Sequence, residues 1–463
     1  MRTPYVVMTL LVVLFLSCFL HDRPEAAVQT EDQVTIEYWE KWTGFEGEAM
    51  KSTVDLFNRH KFKNKKGQTI YCQCLSVTLV DRKSLMAIAG NSPPDLCGFW
   101  SFNTHLFADM GAIQPLDDLV ARDKWDMDKY IPVFRDMCYH RGKIWCLPTT
   151  PATCALHWNK TMFAEAGLDP DRPPRTIKEL DEYADKLTIK TPDGKFKQMG
   201  FLPPEPGWWN SSWGFYFDGQ LSDGLEKITA NDPHNVEAYD WIATYAKKYG
   251  GANTLAFKQG FGTFDSPQNA FLSGKVAMVL QGVWMANFIH FHNPQLKWGC
   301  GAFPASFDTK GEPVTIADMD VVTIPTGCKH PEEAWILMKY INSIEGMEYL
   351  CGKVTDPLSG EENSGGQGKL SPLKETTQEF IHKHPHPYLS VFTDLAKSKN
   401  ARFTPQVPCW EEYKKEMESA FDALYLEEGR MRAKDKLDQV QKLIQEKVDR
   451  VRAVQKLRFG PEN

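Results

Sequence analysis

Between residues 34 and 100 the apolar pattern switches period four times, and that alternation restricts the fold more than any other feature of the chain. "VTIEYW" (34–39) alternates as a strand, then Met50, Val54 and Phe57 recur at i, i+4 and i+7 as one helical face. "TIYCQCLSVTLV" (69–80) is a second strand, Asp81 can cap the helix "RKSLMAIAG", and "PPDLCGFW" (93–100) turns into a third strand. Strand–helix–strand–helix–strand predicts a parallel sheet of an α/β protein, with binding groups at the C-terminal strand ends. The loops "EKWTG" (40–44) and "FWSFN" (99–103) occupy those ends.

A second α/β unit follows. "CALHWNK" (154–160) reads as a crossing strand, and "TIKELDEYADKL" (176–187) as a helix opened by a capping box of Thr176 with Glu179. Helices are expected at 235–249 and 331–344, the latter with Pro331 in its first turn, and a strand at 274–284 runs into Trp284. Residues 411–455 carry helical pattern with charge on most faces, which suits a surface helix pair or, if its apolar stripe is uncovered, a docking surface.

The chain has 463 residues, 42% of them hydrophobic and 24% charged, enough for two or three domains or one interleaved unit. A net charge of -7 gives no basic footprint for nucleic acid, and "HKFKNKKG" (60–67) reads as a solvated turn. Arg2 precedes "VVMTLLVVLFLSCFL" (6–20), the length of a signal-peptide core, so residues 1–29 are expected to direct export to the periplasm or another extracytoplasmic site. "FLSC" resembles a lipoprotein box with Cys18 as the lipidated residue; cleavage near Ala26 or Ala27, or an uncleaved anchor, are the alternatives.

Of the eleven cysteines, ten remain when Cys18 is set apart, a number that permits disulfides in an oxidising compartment. Cys138 and Cys146 flank "YHRGKIW", a turn-like insert that would bring them together, and form the first candidate pair. Zinc lacks a CxxC pair, and small buried thiols are the other alternative.

There is no GxxxxGK[ST], GxSxG, HExxH or strand-linked GxGxxG. Prolines break up the histidine cluster "HKHPHP" (382–387), so neither a metal nor a cofactor is expected. Glu205 and Asp218 could pair in a glycosidase, but sequence does not supply their separation. Tryptophans, by contrast, gather at loop ends: Trp39, Trp42, Trp100, Trp208, Trp209, Trp213, Trp284 and Trp410. Singly such residues fill cores; as a group in Gly/Pro loops they suit a flat polar ligand, with sugar C–H faces stacked on indole and hydroxyls bonded by neighbouring polar groups.

In order along the chain, "YWEKWTG", "PPDLCGFW", "GAIQPLDDL", "GKIWCLP", "ALHWNKTMFAEAGLDPDRPPRTIKEL", "FLSGKVAMVLQGVW", "IPTGCKHPEEAWILMKYI" and "GKLSPLK" resemble the extracellular solute-binding proteins of the maltose-binding type, receptors of bacterial ABC importers, over nearly all of 34–440. The resemblance implies a two-lobed periplasmic-binding-protein type II fold, its lobes joined by crossing strands at a hinge. Residues 30–152 with 314–356 would form the N-terminal lobe, and 153–313 with 357–463 the C-terminal lobe and helical tail. It also implies a monomer that hands a carbohydrate to permease subunits, without catalysis. Carried over residue by residue, it marks Lys41, Trp42, Thr43, Trp100, Asn103, Glu205, Trp208, Trp284 and Trp410 as ligand-binding positions. The position that is acidic in maltose binders is Cys154 here. Two other readings stay open: a same-fold receptor for a polyamine, phosphodiester or metal chelate, and a secreted carbohydrate-active hydrolase using Glu205.

Overall fold

The computed structural model describes residues 32–459, so the expected export segment and Cys18 lie outside the described residues. Strand β1 (Gln33–Glu40) leads into helix α1 (Gly44–His60), strand β2 (Thr69–Ser76), helix α2 (Val80–Ala89), strand β3 (Leu96–Trp100) and helix α3 (Ser101–Met110). β1 pairs in parallel with both β2 and β3, as the strand–helix alternation predicts. Met50, Val54 and Phe57 are the buried stripe of α1, and Ile36 and Tyr38 the buried face of β1. Each such side chain contributes about 1.5–3 kcal/mol of burial.

Strand β4 (Leu147–Asn159) starts seven residues before the expected crossing strand, and all its side chains are buried. There follow helix α4 (Ile177–Leu187), strand β5 (Phe196–Phe201), helix α5 (Pro233–Tyr249), strand β6 (Val276–Gly282), helix α6 (Met285–His292), strands β7 (Trp298–Gly301) and β8 (Thr315–Thr323), helix α7 (Pro331–Ile341), and helices α8 (Trp410–Leu426) and α9 (Ala433–Phe459). Thr176 caps α4 by accepting from Glu179 N at 3.1 Å, whereas the Glu179 carboxylate accepts from Arg175 N instead of closing the box on Thr176.

One sheet runs in the order β2-β1-β3-β8-β4-β6-β5 with short edge strands beyond. β4 changes partner midway: Thr153 pairs with Ala317 of β8, and Cys154 with Gly282 of β6. β4 and β8 therefore carry the chain between two hydrophobic cores, one under β1–β3 and the other between α4, α5, α8 and α9. The chain is two-lobed, with these strands as the crossing. The described residues from 357 on, expected with the second lobe, divide between the two cores. Leu370, Leu373, Phe380, Phe392 and Leu395 pack into the first, because Ile131 N donates to Pro372 O at 2.8 Å and holds that stretch there; Val407 and the helices after it pack into the second.

The apolar stripe of α9, namely Leu437, Val440, Ile444 and Val448, is covered by the second core. The hairpin does bring Cys138 and Cys146 together, with Trp145 N donating to Cys138 O at 3.0 Å, yet all ten described cysteines are free thiols and Cys138 Sγ is directed at Phe134 O, 3.4 Å away. His386 is buried and His384 half-buried in the fold, and no cluster of three or more His, Cys, Asp or Glu able to hold a metal occurs among the described residues.

Candidate functional site

The C-terminal ends of β1 and β3 meet a break in β8. Asp320 lies opposite Trp100 on β3, and on its other side the register with β4 shifts between Met319 and Val321. Such irregularities re-aim side chains, and here the break leaves Asp320 accepting from Thr150 Oγ1 at 2.5 Å and Trp42 Nε1 at 2.6 Å. Lys41 Nζ lies 2.7 Å from its other oxygen. Burial alone would push this carboxyl up, but Lys41 and Lys369 more than offset that and hold it below the usual carboxylate range.

The loop after β1 is fixed from beneath. Glu40 Oε1 accepts from Lys41 N at 2.8 Å and Trp42 N at 3.1 Å, while Oε2 accepts from Tyr38 OH at 2.5 Å. Gly98 passes so close that an added Cβ would sit 2.9 Å from that oxygen. The loop holds Trp42 edge-on to Trp100 at 6.0 Å, and Trp100 stacks on Phe102 at 5.9 Å. Lys369 enters from the far end of the chain, pairing with Glu46 at 2.8 Å, and its ammonium lies 5.3 Å from the Trp42 ring centre.

The second lobe contributes a second aromatic group. Trp208 and Trp209 meet Trp284 at 5.8 and 6.4 Å, and Phe264 abuts Trp208 at 4.5 Å. Trp209 Nε1 donates to Leu280 O and Trp284 Nε1 to Gln281 Oε1, so β6 orients both indoles. Glu205 is buried beside Lys258, whose ammonium lies 3.7 Å away and donates to Pro206 O at 3.1 Å. Burial raises the Glu205 carboxyl and Lys258 only partly opposes it.

The two groups are linked across the lobes. Asn287 on α6 donates to Gln367 O at 2.8 Å, Gln367 Nε2 donates to Glu46 O at 3.0 Å, and Phe45 meets Phe291 at 5.6 Å.

Of the residues marked from sequence, Lys41, Trp42 and Trp100 stand together on the first lobe, and Trp208 and Trp284 on the second. Thr43 is exposed at the start of α1, and Asn103 is buried in α3. Trp410 is only 2% exposed, in the second core against Tyr413, and Trp213 from the tryptophan-rich loop is wholly buried there. Lys369, Gln281, Gln367 and Lys258 were not singled out from sequence. The glycine-rich stretch 365–368 before Lys369 was the available signal, since Gly368 lies so close to Asn287 that a Cβ would meet its Oδ1 at 2.7 Å.

Residues 59–357 match the family model described as bacterial extracellular solute-binding protein. A binding protein of Brucella abortus (strain 2308) is 26% identical over 330 residues, covering 70% of this chain and 72% of its own. The sn-glycerol-3-phosphate-binding periplasmic protein of Pectobacterium atrosepticum is 25% identical over 295 residues, 60% of this chain and 62% of its own. The structure of CpMnBP1 with mannotriose bound superposes with a TM-score of 0.71 at 27% identity, covering 89% of this chain and 99% of that one.

Proposed function

The chain belongs to the bacterial extracellular solute-binding proteins, and from that membership and the interlobe site we infer that it is a carbohydrate receptor delivering a sugar or oligosaccharide to an ABC importer. One observation carries the choice of ligand. The two buried ammonium groups beside Trp42 and Trp100, Lys41 and Lys369, are already matched by two carboxylates, Asp320 and Glu46, so no cation of the site is left over for an anionic ligand, and the rings around them suit sugar faces. A phosphate would have to displace one of those carboxylates to find a cation, because leaving either charge buried and unpaired costs several kcal/mol. A polyamine would need unpaired acids where these acids are already paired.

Binding without catalysis is the companion inference. Glu205 faces Lys258 instead of a second acid, and the relatives described above are binding proteins. Lobe closure over the sugar would be the signal read by permease subunits, with the receptor acting as a monomer. Cys18 would tether it through lipid, and the mass of the mature N-terminal peptide tests that point.

A thermal-shift screen of the exported protein against mono- and oligosaccharides and sn-glycerol-3-phosphate tests the ligand class, because a ligand bound only by the native state raises Tm. A sugar-specific rise supports the receptor reading. A response to the phosphate alone overturns it, as does shortening of the oligosaccharides on prolonged incubation.

A further inference from the structure

Two buried amides adjoin the two aromatic groups, one bonded to Trp284 and the other to the backbone of Glu46, and each has one atom without a partner. Gln281 is 0% exposed: its Oε1 accepts from Trp284 Nε1 at 3.1 Å and Gly282 N at 3.3 Å, and its Nε2 has no hydrogen-bond partner. Gln367 is 1% exposed: its Nε2 donates to Glu46 O at 3.0 Å, and its Oε1 has no partner. Neither orientation is arbitrary. Indole and backbone N–H groups can only donate, so they fix the Gln281 oxygen; a backbone carbonyl can only accept, so it fixes the Gln367 nitrogen.

Buried polar groups in native proteins are paired, and an unpaired one costs about 1–3 kcal/mol, so each exception calls for a cause. Unpaired atoms also occur inside the two cores, for example Trp213 Nε1 and Asn235 Oδ1. What separates Gln281 and Gln367 is their place: one bonds directly to Trp284, and the other bridges Asn287 of α6 to α1 beside Lys369. Lys41 Nζ, although in ionic contact with Asp320, likewise lacks an aligned hydrogen-bond acceptor.

We propose that Gln281 and Gln367 are ligand-recognition residues, the Gln281 amide N–H donating to and the Gln367 amide oxygen accepting from hydroxyl groups of the bound sugar. The inference rests on the carbohydrate reading above and narrows it. A hydroxyl both donates and accepts, so it can complete either amide. Because both amides are buried, ligand reaches them while the lobes are apart, and closure brings them onto its hydroxyls.

The test is calorimetric titration of wild type, Gln281→Met and Gln367→Met with mannotriose and maltotriose, and with mono-deoxy analogues of whichever wild type binds. Each Met variant is expected to weaken the parent sugar about tenfold. That loss should vanish for at least one deoxy position, a result that a purely structural role would not produce. If a Met variant does not fold, Gln281→Glu keeps the oxygen that accepts from Trp284 and removes only the donor, and its titration decides. Wild-type binding with variant affinities within twofold of it overturns this inference alone; no saccharide binding by wild type overturns the carbohydrate reading together with it.

Discussion

Lys41 and Asp320 meet at 2.7 Å, with side chains only 1% and 10% exposed, although one follows the first strand and the other lies in a strand that crosses between lobes. The pair fastens the loop carrying Trp42 to the hinge, and Lys369 lies 3.8 Å from the same carboxylate. Asp320→Asn removes the charge that balances Lys41 and leaves the ammonium buried. The expected result is a loss of about 3–5 kcal/mol in chemical denaturation, together with loss of sugar binding. Adding Lys41→Met to that variant should restore much of the stability but not the binding. A fully stable Asp320→Asn protein would show that the pair is not desolvated in solution.

The tryptophans divide by burial into two kinds, and they should respond differently. Trp208 and Trp284 are half-buried and meet each other in the second-lobe aromatic group. Replacing either by Ala is expected to weaken sugar binding by about 1–3 kcal/mol and leave the fold intact. Trp213 is 0% exposed among Phe201, Trp241 and Phe303. Its replacement by Ala should cost about 3–5 kcal/mol of stability. Titration and urea unfolding of the three variants check both halves, and equal affinity in Trp208→Ala and Trp284→Ala would mean that the ligand lies elsewhere.

Gly98 offers a probe of the loop that needs no change in the site itself. A methyl group there would sit 2.9 Å from both Glu40 Oε2 and Tyr38 OH, inside the contact that fixes Lys41 N and Trp42 N. Gly98→Ala is therefore expected to cost about 1–3 kcal/mol of stability through overcrowding and to weaken sugar binding as well. Wild-type affinity in this variant would show that Glu40 does not set the position of Trp42.

Local periodicity made the first lobe legible. The alternation of "VTIEYW" and the i, i+4, i+7 stripe of Met50, Val54 and Phe57 are properties of single elements, and the parallel sense of β1, β2 and β3 follows from the helices between them, while their order β2-β1-β3 does not. The same holds for Trp42 and Trp100, which strand ends deliver to one edge. Long-range pairing was not legible. Nothing near Lys369 announces Glu46 or Asp320, and Trp213 differs from Trp208 only in which side of a short turn faces α5. Residues 370–396 were placed with the second lobe, and the contacts that tie them to the first, such as Ile131 N to Pro372 O and Thr377 N to Glu348 Oε1, join positions far apart in the chain and leave no local pattern.

Four histidines shielded from water set the response to acid. Burial holds His105, His157 and His384 to a pKa of about 4 and His386 to about 3. The geometry agrees: His384 Nδ1 accepts from His386 N at 3.1 Å, His386 Nδ1 accepts from Tyr388 N at 3.0 Å, and His157 lies flat on Trp298 with ring centres 5.5 Å apart. In the unfolded chain each histidine titrates near 6.5. Between those values the unfolded state binds more protons than the folded one, so stability falls as pH drops from about 6.5 toward 4 and is retained above. The loss should reach a few kcal/mol in total, and the depressed carboxyl of Asp320 adds to it only at lower pH. Urea unfolding at pH 7.5, 6.0, 5.0 and 4.5 reads the slope directly. Replacing His157 by Gln should flatten that slope, since the substituted side chain takes up no proton in either state. An unfolding free energy that is constant between pH 7 and 5 would mean that these histidines are hydrated in the folded protein.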